Sequence, residues 1–104
     1  MGVRSLADIH ALEATPLAAR NLPENTYEAL RRGAAQHRDA TALSFFLDAG
    51  DFTRTHDWSY RELFADITRA ANAFQQLGVG PQEVVGFVLP NLPETHFTIW
   101  GGEA

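Results

Sequence analysis

Between residues 59 and 78 the alternation of apolar and polar positions has a helical period. Apolar side chains stand at 60, 63, 64, 67, 70, 71, 74 and 77, the stripe of an amphipathic helix. Its start is marked twice. Ser59 and Glu62 have capping-box spacing, and Trp58 and Leu63 occupy the two positions of a hydrophobic staple. Gly78, just past the stripe, is placed to end the helix in a left-handed cap.

The other segments carry shorter signals. Asn25 and Glu28 have cap spacing before a helix over 26–37, whose apolar positions are Tyr27, Leu30, Ala34 and Ala35. Residues 42–47 predict a strand, Asp48-Ala49-Gly50-Asp51 a turn, and 52–58 a returning strand, together a β-hairpin. Val84-Val85-Gly86-Phe87-Val88-Leu89 is a continuous apolar run, which predicts a strand buried on both faces. Gly86 within it predicts close approach by another backbone or side chain. Asn91 and Glu94 have the spacing of a cap and its partner for a final helix, with Gly101-Gly102 at its stop. Residues 5–14 allow a short helix, but 1–25 as a whole hold Pro16 and Pro23 without sustained period and predict an arm, draped over the domain or mobile.

These elements predict an α/β chain: an arm over 1–25, then the start of a larger domain over 26–104. A doubly buried strand between helices demands a parallel sheet with further strands. Only one such strand is on offer, so the chain is expected to be the truncated first part of that domain.

Composition narrows the chemistry. The chain has 104 residues, 45% hydrophobic and 20% charged, the balance of an ordinary globular protein. Its net charge of −5, with acidic residues spread throughout, argues against nucleic acid as a partner. There is no cysteine, which removes disulfides, thiolate metal sites and cysteine nucleophiles. All eight basic side chains are arginine, so no Schiff-base amine or ammonium point charge is available. No signal-peptide core or run of transmembrane length is present, and Leu6 stands where a myristoylation signal wants Ser or Thr. A cytoplasmic location is the expectation.

Candidate chemistry meets a structural explanation at each place. Gly78-Val79-Gly80 begins like a dinucleotide fingerprint, but Glu83 replaces the third glycine and a helix precedes where a strand is needed. His37-Arg38-Asp39 resembles a kinase catalytic tripeptide, yet Ser44 stands where that motif wants asparagine. His10, His37, His56 and His96 show no ligand spacing. His56-Asp57 reads as a strand end, Ser44 lacks a nucleophile elbow and Ser59 is engaged in capping. Trp58, Tyr60, Phe64, Phe74, Phe87, Phe97 and Trp100 follow the core stripes of their elements.

From Thr26 onward the order of features resembles the N-terminal edge of the adenylate-forming (AMP-binding) superfamily, which includes acyl-CoA synthetases, luciferases and peptide-synthetase adenylation domains. The matching pieces are Thr26 to Leu30, Asp39 to Leu43, Ser59 to Leu63, Ala70 to Phe74, Leu77 to Pro81, Val84 to Glu94 and Gly101 to Ala104. Arg38 stands where the family usually has proline, and Gln82-Glu83 replaces the usual Gly-Asp. The resemblance implies a parent enzyme that uses ATP and Mg²⁺ to convert a carboxylic acid, by analogy a fatty or aromatic one, to an acyl-adenylate. Coenzyme A then takes the acyl group. It implies that the phosphate loop, the acidic motifs and the catalytic lysines lie outside residues 1–104. No catalytic, cofactor-binding or metal-ligating residue is therefore assigned here. The chain is expected to serve as inactive scaffold whose partner is the remainder of the parent enzyme. A self-contained α/β interaction module without catalysis is the alternative. An independent enzyme is least supported, because no nucleophile, base and oxyanion donors converge.

Overall fold

The computed structural model describes residues 2–104. Three of the four α-helices among the described residues begin where polar side chains satisfy the free backbone N–H groups of a first turn. Helix α1, Leu6–Glu13, starts with a reciprocal box: the Ser5 hydroxyl accepts from Asp8 N–H at 3.3 Å, and the Asp8 carboxylate accepts from Ser5 N–H at 3.0 Å. Helix α2, Thr26–Gln36, is capped on one side only. Asn25 Oδ1 accepts from Glu28 N–H at 2.8 Å, but the Glu28 carboxylate does not return to Asn25. It grips Arg31 at 2.7 and 2.8 Å and Arg32 at 2.9 Å instead. The capping box expected there is half formed, because two guanidinium groups one turn away outcompete a backbone N–H for that carboxylate.

The hairpin is present and shorter than its apolar pattern. Strand β1, Thr41–Phe45, pairs antiparallel with β2, His56–Ser59, matching Leu43 to Trp58, Ser44 to Asp57 and Phe45 to His56. Asp48 accepts from Gly50 N–H at 2.8 Å and opens a helical turn, Ala49–Asp51, and Arg54 N–H then reaches back to Asp51 C=O at 2.8 Å. These turns consume residues 52–54, so the second strand starts at His56 rather than Phe52.

Helix α3, Tyr60–Gln76, has both predicted ends. The Ser59–Glu62 box is complete, with bonds of 3.2 and 2.9 Å. At the other end Gly78 takes φ +88°, and the N–H groups of Gly78 and Val79 bond the carbonyls of Gln75 and Phe74, both at 3.0 Å. That crossed pair of bonds is a Schellman cap.

Helix α4, Pro93–Gly102, differs from expectation at both ends. Its N-cap is Leu92, with no side-chain bond, because Pro93 begins the helix with a fixed φ and no N–H to satisfy. Asn91 therefore sits one residue too early to cap. At the far end Gly101 and Gly102 lie inside the helix. Gly101 is buried, and a Cβ there would stand 2.6 Å from Ala70 Cβ and 3.1 Å from Ile67 C=O. Close contact with α3, not termination, accounts for that glycine.

The core lies where α2, α3 and α4 meet, and its fully buried side chain is Ile67. Ala34 of α2 is buried as well, and so is Pro93 of α4. Tyr27 and Phe64 join α2 to α3 with ring centroids 5.0 Å apart, and Tyr27 Oη lies 3.0 Å from Thr68 Oγ1. Trp58 and Phe97 join β2 to α4 at 6.0 Å.

The buried strand predicted over 84–89 is not formed. The segment belongs to no sheet, Val84 is 93% exposed and Val88 100% exposed, and no atom lies within 4 Å of a Cβ placed on Gly86. A strand exists only with a partner backbone, and the two strands among the described residues pair with each other. The radius of gyration, 17.6 Å, exceeds the roughly 13 Å of a compact domain of this length. The accessible surface is 8096 Å², roughly 40% above that of a folded monomer of this mass. No helix among the described residues is long and apolar enough to cross a membrane.

Candidate functional site

Most positions where the sequence hinted at chemistry have a local structural task; His10 and His96 lie on α1 and α4, apart from each other and from the other histidines in sequence. Gly78-Val79-Gly80 closes the C-terminal end of α3, where carbonyls and the negative pole of the helix dipole gather. A phosphate would be repelled there, and the Gly80 N–H is already taken by the Glu83 carboxylate. His37 is the C-cap residue of α2, donating its N–H to Gly33 C=O at 2.9 Å. Arg38 offers its carbonyl to Arg61 N–H at 3.1 Å, and Asp39 meets the Arg61 guanidinium at 3.4 Å in an exposed ion pair. The tripeptide is thus a joint between α2, β1 and the first turn of α3.

His56 and Asp57 are neighbours on a strand, and successive strand side chains leave on opposite faces. The His56 ring stands edge-on to Trp58 at 4.3 Å. Asp57 accepts the Thr55 hydroxyl at 2.7 Å, and that bond, then one from Ser44, holds its carboxyl below the usual range. Both hydroxyls serve the ionised carboxylate, so Asp57 is not arranged as the orienting partner of a basic imidazole. Ser59 is spent in the α3 cap, whose backbone N–H and hydroxyl in turn hold Glu62 ionised. Among the described residues no three histidine or carboxylate groups converge as a metal site.

Several depressions mark the surface, and three of them border α3. The largest, about 500 Å³, runs between β2 and α3 past His56, Asp57, Arg61, Glu62, Asp66 and Arg69. Its charges are answered internally: Arg69 pairs with Asp66, and Glu62 belongs to the cap. A second, about 360 Å³, brings Arg31, Arg38 and Arg61 around Ala34, Ala35 and Phe64. Arg31 is held there by Glu28, whose carboxyl the bonds from Arg31 and then Arg32 pull down to about 2. The third, about 330 Å³, separates the ends of α3 and α4 near Phe74, Val79 and Gly102. None joins a nucleophile to a base and an oxyanion donor. The arginine cluster is what inspection of the sequence missed: its members are 7 and 23 positions apart, and only the α2–α3 crossing brings them together.

The chain's relatives supply what local geometry does not. The family model for AMP-binding enzymes matches residues 30–101. A marinolic acid–CoA ligase of Pseudoalteromonas sp. (strain SANK 73390) is 34% identical over 102 residues, which is 98% of this chain and 16% of that protein. The nonribosomal peptide synthetase sidC of Arthroderma benhamiae is 32% identical over 72% of the chain, which covers 2% of its length. An acetyl-coenzyme A synthetase of Cronobacter sakazakii is 35% identical over 62% of the chain, or 10% of its own length. The chain therefore spans a sixth or less of each of these proteins. No solved structure matches it.

Proposed function

The chain belongs to the AMP-binding enzyme family, and we propose that it acts as N-terminal framework for an acyl-CoA synthetase. That enzyme activates a carboxylic acid with ATP and Mg²⁺ as an acyl-adenylate and passes the acyl group to coenzyme A. The observation that carries the reading is the match to a CoA ligase along 98% of this chain, aligned to only 16% of the ligase. The acid is of fatty or aromatic type, and the work is done in the cytoplasm.

The chemistry needs cations and hydrogen-bond donors around a triphosphate. Of the three arginines gathered at the α2–α3 crossing, Arg31 is paired with Glu28 and Arg61 meets Asp39 at 3.4 Å in an exposed pair, while Arg38 has no ion pair among the described residues. What the residues do is build a three-helix corner around Ile67 with a hairpin on its flank. The large exposed surface favours a framework awaiting further packing over a self-contained interaction module.

Two measurements test this. Isothermal titration of the chain with ATP and Mg²⁺ is expected to give no saturable heat; saturable binding overturns the framework-only reading. Substituting the chain for the matching segment of the marinolic acid–CoA ligase is expected to preserve acid-dependent pyrophosphate release. A folded chimera without adenylation overturns the assignment to a ligase framework.

A further inference from the structure

Residues 2–20 are closed on themselves rather than packed on the rest of the chain. Every one of them is exposed, and α1 has no buried residue. The Ser5–Asp8 box caps the start of α1. At its other end the Arg20 guanidinium turns back onto the carbonyls of Thr15, at 2.9 Å, and Leu12. A cation is well placed against the last carbonyls of a helix, and here it ties the turn Leu17–Ala19 to α1 as one unit. Asn21 follows with φ +51°, a left-handed conformation that asparagine tolerates better than most residues. Pro23 has a fixed φ and confines Leu22 to extended backbone. The direction taken by 2–20 is therefore set by the torsions at Asn21. Among the described residues, one hydrogen bond crosses from the body to this arm: Arg32 Nη1 of α2 donates to Asn21 C=O at 2.5 Å.

We propose that Asn21 is the pivot of an N-terminal strap and that Arg32 is the clasp that fixes the strap relative to α2. The bond goes to the carbonyl of the pivot residue itself, so it holds the peptide plane that must turn if the strap is to swing. It is charge-assisted, the stronger kind of hydrogen bond. The clasp is also set in advance: Glu28 Oε1 accepts from Arg32 Nε at 2.9 Å, which orients the guanidinium and leaves Nη1 for the arm. Arg31 grips the same carboxylate and makes no bond to the arm, so the task belongs to Arg32 alone of the pair. With no side chain of 2–20 buried, no packing replaces the bond once it is lost. Every group in the device lies within residues 2–36, so it does not depend on the framework reading.

The chain has no cysteine, so two introduced thiols place spin labels without ambiguity. Ala11→Cys on α1 and Asn72→Cys on α3 are both exposed positions, and the distance between their nitroxides is read by pulsed electron–electron double resonance on the full 104-residue chain. The doubly labelled parent is expected to give one narrow distribution. Arg32→Gln is expected to at least double its width. Arg31→Gln removes the other partner of Glu28 without touching the arm and is expected to keep the parent's width. Asn21→Val, which a β-branched side chain makes unfavourable at φ +51°, is expected to shift the mean distance. Equal broadening by Arg31→Gln and Arg32→Gln overturns the clasp, because both loosen α2 and only one releases the arm. A broad distribution in the parent, or a narrow one in Arg32→Gln, overturns it as well. A mean distance unchanged by Asn21→Val overturns the pivot.

Discussion

Replacing Gly101 by alanine adds one methyl group to the last turn of α4, and the two physical effects of that methyl oppose each other. On helix propensity alone, Gly→Ala stabilises by up to about 1 kcal/mol. Against it stands the crossing with α3. The new Cβ would lie 2.6 Å from Ala70 Cβ and 3.1 Å from both Ala71 N and Ile67 C=O. Carbon atoms pack at about 3.5–4.0 Å, so the helices must part by roughly 1 Å. No flexible side-chain tip is available to yield, since the atoms met are backbone or fixed directly to it. Overpacking of this kind costs about 1–3 kcal/mol, and near the upper figure the net effect is a loss of about 2 kcal/mol. Gly33→Ala is the matched control: it lies inside α2 with nothing within 4 Å of its Cβ and should stabilise by about 0.5–1 kcal/mol. Both are read by urea unfolding followed at 222 nm at low micromolar concentration. Adding Ala70→Gly to Gly101→Ala removes the 2.6 Å contact but not the two at 3.1 Å, so partial coupling is expected. If Gly101→Ala stabilises as much as Gly33→Ala, the close α3–α4 approach is wrong.

Three further outcomes follow from single side chains. Ser59→Ala should cost about 1 kcal/mol in the same assay by removing half of the α3 cap, and should raise the Glu62 carboxyl toward its ordinary range in an NMR titration. An unchanged Glu62 midpoint would show that the hydroxyl does not hold it. Gly78→Ala should cost about 1–2 kcal/mol, because φ +88° is strained for any residue with a Cβ, with asparagine losing less; equal loss for both refutes the left-handed cap. Glu28, held near 2 by Arg31 and then Arg32, should titrate far below the ordinary glutamate value of 4.5. Because its folded pKa is depressed, its contribution to stability is fully present above 4.5 and is lost as pH falls through about 2. Glu28→Gln should flatten the pH dependence across that window, and a Glu28 midpoint at 4.5 would contradict the Arg31 and Arg32 fork.

Local signals were read correctly where the physics itself is local. The Ser59–Glu62 box and the Gly78 cap use groups within a few residues of each other, so spacing alone locates them. The half-formed box at Asn25 failed for a reason visible one turn on: Arg31 and Arg32 compete for Glu28. Gly101-Gly102 looked like a stop because glycine breaks helices in isolation, yet Gly101 lies where α4 crosses Ala70. Nothing near residue 101 in the sequence announces that contact.

By itself the sequence determined the helix α3 with both of its ends, the hairpin, the reach of the available chemistry and the family. Only the tertiary structure decided the state of 84–89. A helix satisfies its backbone within its own segment, so 60–76 declares itself. A strand is a relation between two backbones, and an apolar run such as Val84 to Leu89 contains only one of them. Here that run belongs to no sheet, with Val85 close to Gly102 of α4 and Val84 and Val88 in water.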